Sequence, residues 1–176
     1  KIPNTKEFCL RECRKLMQIF DTLKNMKTEL EFSDKVRIYL CGVTVYDEAH
    51  IGHARTIIVF DVLRRFLESQ NIPVEFVQNF TDVDDKIIER AHEKNVPALE
   101  LAAKYIEHYF TDFDRLNVKR ATSYPKATDH IDDMHNLISN LVDKKCAYLT
   151  KNGVYFSVSK FSEYGKLSKK KTGDLV

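Results

Sequence analysis

The chain's 176 residues, 43% hydrophobic and 31% charged, describe an ordinary soluble globular protein with room for one substantial core. A formal net charge of +2 makes no demand for a nucleic-acid partner, and no apolar run approaches the roughly 20 residues that span a bilayer. The opening Lys1-Ile2-Pro3-Asn4-Thr5-Lys6-Glu7 lacks the apolar stretch of a secretory signal, so a cytoplasmic location is expected, with an organelle left open.

In chain order, residues 1–15 are polar and charged and read as an appendage or arm. Cys9 and Cys13 lie a helical turn apart there, but no third ligand stands nearby, and together with Cys41 and Cys146 they follow neither a finger pattern nor a disulfide framework. Ile38-Tyr39-Leu40 and Val74-Glu75-Phe76-Val77 are β-branched and aromatic, and each precedes a helical pattern, which predicts two parallel strands. The helix joining them, over residues 51–70, presents Ile57, Ile58, Phe60, Val62, Leu63, Phe66 and Leu67 as a wide apolar face. A helix over 82–94 turns Ile87, Ile88 and Ala91 inward, and Pro97 suits the first turn of the next, which runs to about Leu116 with Phe110, Phe113 and Leu116 as core. Residues 131–141 continue the helical theme. Ala147-Tyr148-Leu149-Thr150 and Val154-Tyr155-Phe156-Ser157 then flank Lys151-Asn152-Gly153, where Asn-Gly signals a hairpin. The change from parallel βα units to an antiparallel hairpin puts the start of an insertion near residue 117.

The chemistry concentrates in Cys41-Gly42-Val43-Thr44-Val45-Tyr46-Asp47-Glu48-Ala49-His50-Ile51-Gly52-His53-Ala54-Arg55. A helix N-terminus offers unpaired N–H groups and the positive end of its dipole, so phosphates settle there. His50 and His53 can add hydrogen bonds to a reacting phosphate, and Gly52 lets a ligand approach the backbone closely. Cys41 ends the first strand, on the edge where open α/β sheets bind ligands; from its position alone it reads first as a small buried residue, the common state of a free cysteine. Thr44 and Thr81 sit just beyond the two strand ends and can offer hydroxyls to a substrate, as Asn79 can its amide, while Thr81 or Asp82 could instead cap the next helix. Asp82, Asp84 and Asp85 read as compensation of a helix dipole ahead of a magnesium site.

The segment Cys41 to Arg55 resembles the first signature of cysteinyl-tRNA synthetases, class I enzymes with the HIGH motif, here His50-Ile51-Gly52-His53. The likeness runs on through Phe60-Asp61-Val62-Leu63-Arg64-Arg65 and Val77-Gln78-Asn79-Phe80-Thr81-Asp82-Val83-Asp84-Asp85-Lys86-Ile87-Ile88. It continues in Tyr124-Pro125-Lys126-Ala127-Thr128-Asp129-His130-Ile131 and Asn152-Gly153-Val154-Tyr155-Phe156. Upstream, Ile19-Phe20-Asp21-Thr22-Leu23 looks like the family's usual opening, so the resemblance spans about Leu16 to Ser168.

The resemblance implies an α/β fold: a Rossmann-like catalytic half-domain over residues 16–116, after an appendage at 1–15, with part of a connective insertion containing the hairpin over 117–176. It implies ATP-dependent activation of cysteine to cysteinyl-adenylate and transfer to tRNA-Cys, with Mg2+ accompanying ATP. The implied roles are ATP binding for His50, Gly52 and His53, with the two histidines acting on transition-state charge; an aminoacyl pocket for Gly42, Thr44 and Thr81; and zinc ligation for Cys41. In the family the other zinc ligands come from a later region, and none of His92, His108, His130 or His135 stands at a spacing that replaces them. Lys166-Leu167-Ser168-Lys169-Lys170 looks like the family's second ATP loop, but directly after the hairpin it reads as a solvated basic end. The expectation is an N-terminal half, inactive alone. The alternatives are a truncated remnant or regulatory fragment, a related ligase joining cysteine to an amino sugar, and a nucleotidyltransferase, against which the Cys41–Asp47 run argues.

Overall fold

The computed structural model describes residues 17–32 and 34–170, so the appendage expected at 1–15, with Cys9 and Cys13, lies outside the described residues. Strands β1 (Gln18–Asp21) and β2 (Met26–Glu29) form an antiparallel hairpin, turned at Asn25 with φ 57°. Next come β3 (Val36–Thr44), α1 (Ile51–Ser69), β4 (Val74–Thr81), α2 (Asp85–Lys94) and α3 (Ala98–Arg115). A 3-10 turn (Ala127–His130) leads into α4 (Ile131–Asp143), and β5 (Ala147–Thr150) pairs antiparallel with β6 (Gly153–Phe156). Phe32–His130 form one compact unit, and the described residues before and after it form the other.

In the Phe32–His130 unit β3 and β4 pair in parallel, as expected, with α1 as the crossover. Both strands run further than their apolar cores suggested. Cys41 is therefore inside β3, and Thr44 and Thr81 are the last residues of their strands, where the sequence put them just beyond the ends. The parallel sheet also gains a third member: Val77 bridges Ser123 and Phe80 bridges Lys126, both in parallel. Gln78 N–H donates to Ser123 O (3.2 Å), and Phe80 N–H to Pro125 O (2.9 Å). Residues 117–130 thus pack in this unit, ahead of the hairpin unit that begins at Ile131.

Left-handed asparagines mark the ends of all three helices here. Asn71 (φ 59°) follows α1, Asn95 (φ 52°) caps α2, and Asn117 (φ 57°) follows α3; asparagine tolerates this region better than other residues with a side chain. The core lies between the sheet and helices α2 and α3, with Phe76, Phe80, Ile87, Ala91, Leu101, Tyr105, Tyr109 and Phe113 buried. Phe80 is its centre, edge-on to Tyr109 (5.0 Å between centroids) and Phe110 (5.6 Å) and stacked on Tyr124 (5.3 Å). Tyr109 is so buried that its phenol is pushed well above the ordinary range, and its O–H donates to the buried Gln78 Oε1 at 2.9 Å.

The wide apolar face expected of α1 is only partly used. Ile57 and Leu67 are buried, whereas Ile58, Val62 and Phe66 are exposed, because the sheet beneath the helix is narrow. The buried stripe also includes Asp61, which accepts from Arg65 Nε (2.7 Å) and Lys119 N–H (3.0 Å). Arg64 and Arg65 donate to the carbonyls of Arg120 and Asn117, both at 2.6 Å, so this polar trio braces the segment after α3. Leu116, expected in the core, is 53% exposed. In the other unit, Gly153 (φ 134°) opens β6 opposite Thr150 and leaves Lys151-Asn152 as the turn.

Candidate active site

The site is built on two pieces of the Phe32–His130 unit. The first is the end of the parallel sheet. Between Leu40 and Val43 the register with β4 shifts, and Cys41-Gly42 occupy the irregularity. Gly42 is required by contact: a Cβ there would fall 1.4 Å from Asn79 O, inside the backbone of the neighbouring strand. Asn79 Oδ1 accepts from Gly42 N–H (2.7 Å) and from Tyr39 O–H (3.0 Å), while its amide donates to Thr81 Oγ1 at 3.4 Å. Asn79, read from sequence as an amide offered to substrate, therefore holds the bulge. Beyond it Thr44 and Thr81 are register partners, placing two hydroxyl residues side by side at the carboxyl edge of the sheet. Cys41 is an exposed free thiol.

The second piece is the start of α1. His50 is its N-cap and closes a reciprocal capping box with His53. His50 Nδ1 accepts from Gly52 N–H (3.0 Å), and His53 Nδ1 accepts from His50 N–H (3.2 Å). The two rings stack, 3.9 Å between centroids and 23° apart in plane. Gly52 makes this possible, since a Cβ would lie 2.8 Å from His50 Cε1. An imidazole nitrogen that accepts carries no proton, so each ring must hold its proton on Nε2, leaving one N–H donor apiece. Burial, and then the neighbouring His50, hold the His53 pKa below the ordinary imidazole value, keeping the ring neutral. Its protonation would abolish the acceptor that holds His50 N–H. The cap therefore contributes fully above the ordinary histidine range and weakens as pH falls below it.

The loop between the pieces is held from several sides. Val45 N–H donates to Thr81 O at 3.3 Å, Arg90 of α2 grips Asp47, and His108 of α3 meets Glu48 Oε1 at 2.7 Å. Asp82 and Asp84 are occupied structurally. Asp84 caps α2 through Lys86 N–H (2.9 Å), and buried Asp82 accepts from Thr128 N–H (3.0 Å) and Oγ1 (2.5 Å). Beside the cap a groove of about 580 Å3 opens between α1 and the end of α3, with Ile51, Ile58 and Leu116 among its apolar walls and Arg55, Asp112 and Arg115 as charges. Sequence reasoning missed it, because its two walls are distant in the chain and their apolar residues read as core.

Among the described residues no group of three or more His, Cys, Asp or Glu side chains could hold a metal ion. Cys41 would supply a single thiolate, so these residues do not by themselves fit a tetrahedral zinc site. In the other unit, the basic run at 166–170 forms a turn at Gly165 (φ 85°), where Lys166 pairs with Glu163 and Lys169 Nζ donates to Leu23 O at 2.7 Å.

A parallel α/β unit with paired imidazoles capping a crossover helix beside the strands' carboxyl edge is an arrangement suited to a phosphate-bearing ligand. A family model described as "tRNA synthetases class I (C) catalytic domain" matches residues 27–176. The chain belongs to this family. It is 50% identical over 162 residues to a cysteine–tRNA ligase of Caldicellulosiruptor saccharolyticus, covering 91% of this chain and 35% of that protein. The corresponding ligase of Clostridioides difficile is 51% identical over 162 residues (90% and 35%), and that of Thermococcus kodakarensis 49% over 162 (91% and 34%). The chain thus spans about a third of the length of the curated relatives it matches. Among solved structures, Mycobacterium tuberculosis methionyl-tRNA synthetase bound by methionyl-adenylate aligns with a TM-score of 0.60 at 20% identity, over 66% of this chain and 23% of that one, a likeness of fold. No described helix is long and apolar enough to cross a membrane.

Proposed function

We propose that this chain is the N-terminal portion of a cysteine–tRNA ligase, whose substrates are cysteine, ATP and tRNA-Cys. In the first step a carboxylate oxygen of cysteine attacks the α-phosphorus of ATP; the bond to the bridging oxygen breaks, pyrophosphate leaves with the electron pair, and cysteinyl-adenylate remains. In the second, a terminal ribose hydroxyl of the tRNA attacks the adenylate carbonyl, loses its proton, and AMP leaves.

The observation that carries this reading is the fixed tautomer of the His50–His53 pair. Both Nδ1 atoms accept from backbone N–H groups of the cap, which leaves each Nε2–H as the outward donor at a helix N-terminus. Donors locked before the reaction stabilise charge building on the phosphate without reorganising, and neither ring needs to exchange a proton. Thr44 and Thr81, paired at the sheet edge with Gly42 behind them, would receive the amino acid. Identity near 50% to cysteine–tRNA ligases over nine-tenths of the chain supports cysteine as that amino acid. Zinc belongs to this proposal only for the whole protein, with Cys41 as a single donor, and Mg2+ would accompany ATP. A cytoplasmic location agrees with the reading.

The test is cysteine-dependent ATP–pyrophosphate exchange by the intact protein carrying this chain. His50→Ala and His53→Ala should each lower the exchange rate on the order of 10²–10³-fold, while cysteine binding changes far less. Exchange at wild-type rate in both variants would remove the assignment. Exchange that persists while an amino sugar, and no tRNA, accepts the cysteine would move the protein to a different ligase.

A further inference from the structure

Four residues, Val45 to Glu48, precede Ala49 and the His50 cap, and outside contacts hold each of them. Val45 N–H donates to Thr81 O, Lys86 Nζ lies 5.6 Å from the Tyr46 ring centroid, Asp47 meets Arg90, and Glu48 meets His108. The Asp47–Arg90 contact joins a carboxylate of the loop to the guanidinium of another element. Arg90 Nη2 donates to Asp47 Oδ2, Nη1 donates to Glu93 Oε2 at 3.1 Å, and Asp47 Oδ1 accepts from the next N–H, that of Glu48, at 2.9 Å. Arg90 Nε is buried with no hydrogen-bond partner, so the guanidinium is held in place at the cost of one orphaned donor. The Arg90 contact also holds the Asp47 carboxyl below the usual carboxylate range.

Global stability does not account for this arrangement. The Arg90 and Asp47 side chains are 36% and 39% exposed, and ion pairs in such positions add little to folding. A loop lacking regular structure is affected differently: one anchor decides where its far end lies, and here the far end is the N-cap of α1.

We propose that Arg90 is a positioning residue for the His50–His53 pair, gripping Asp47 so that the loop delivers both imidazoles to the capping box with their Nε2–H donors fixed in place. The inference rests on the ATP-binding reading of the pair, but its geometric half stands apart from activity. When the loop slackens, His53 loses its cap contact and its closeness to His50, and its titration reports this directly. The titratable groups facing the pair are each other's rings and, along the adjacent groove, the charged Arg55, Asp112 and Arg115.

The experiment uses the full-length protein with labelled histidine, comparing wild type, Arg90→Ala, Arg90→Lys and Asp47→Asn, with Arg37→Ala as control for loss of an exposed arginine that pairs elsewhere, with Asp34 and Glu75. In wild type, His53 should titrate below an ordinary imidazole by nuclear magnetic resonance. Arg90→Ala and Asp47→Asn should raise that midpoint toward the ordinary value, and Arg90→Lys should restore part of the difference. Thermal midpoints should stay close to wild type. The exchange kcat should fall by up to about 10²-fold, as for a small misplacement of reacting groups, with the KM for cysteine held. An unchanged His53 midpoint in a folded Arg90→Ala or Asp47→Asn protein overturns the proposal, as does equal loss in Arg37→Ala. If Arg90→Ala fails to fold, Arg90 is a folding residue and the proposal falls. Wild type without exchange activity would defeat the functional reading alone, since the His53 midpoints still decide the positioning.

Discussion

At the scale of single residues, the same side-chain types have separated into different jobs. In the sequence Asn79 reads as serving a substrate and Asp82 as a helix-end residue, and both are spent on structure elsewhere, Asn79 on the Cys41-Gly42 bulge and Asp82 on the turn at Thr128. Cys41 stays exposed and uncommitted beside them. That freedom makes it the residue most open to a direct test. In the intact protein Cys41→Ser should lose zinc by metal analysis and, in amino-acid competition, lose discrimination between cysteine and serine. A pocket without a metal separates such near-isosteres by only about 10²-fold. Full zinc occupancy with cysteine preference intact would reduce Cys41 to a surface thiol.

At the scale of elements, two glycines a few residues apart should answer substitution oppositely. Gly42 lies against the β4 backbone, which cannot rotate away from a Cβ 1.4 Å from a carbonyl oxygen. Gly42→Ala should therefore cost about 1–3 kcal/mol or more, read as a lowered midpoint in chemical unfolding. Gly52 faces only the His50 ring, which can turn aside. For Gly52→Ala a helix-propensity gain of up to about 1 kcal/mol roughly offsets the lost cap, also about 1 kcal/mol. Stability should thus hold while ATP–pyrophosphate exchange falls; a protein as active as wild type would show that the stacked pair is dispensable. The β3, α1 and β4 pattern was legible in sequence because strand and helix periods differ so plainly. The ends of β3 and β4 were not, since Gly42 and Asn79, both poor strand residues, interrupt the apolar runs. They are extended because their backbone groups find partners on the neighbouring strand.

At the scale of the molecule, the described residues hold no group of three or more His, Cys, Asp or Glu side chains able to hold a metal ion, in a chain a third as long as its relatives. Purified residues 1–176 should therefore charge no tRNA-Cys above a His53→Ala control; charging above that background would show this stretch to be sufficient. Sequence alone determined the parallel strand–helix–strand pattern, the crossover helix and the place of the histidine pair, because period and N-terminal position are local properties of the chain. Tertiary structure decided the rest. It set 122–126 beside β4, left half of the apolar face of α1 exposed, turned Asp61, Arg64 and Arg65 into a brace, and brought Arg90 and His108 onto the loop before His50. Each of these contacts joins residues tens of positions apart. Such a contact depends on the packing of whole elements, and no local period in the sequence encodes it.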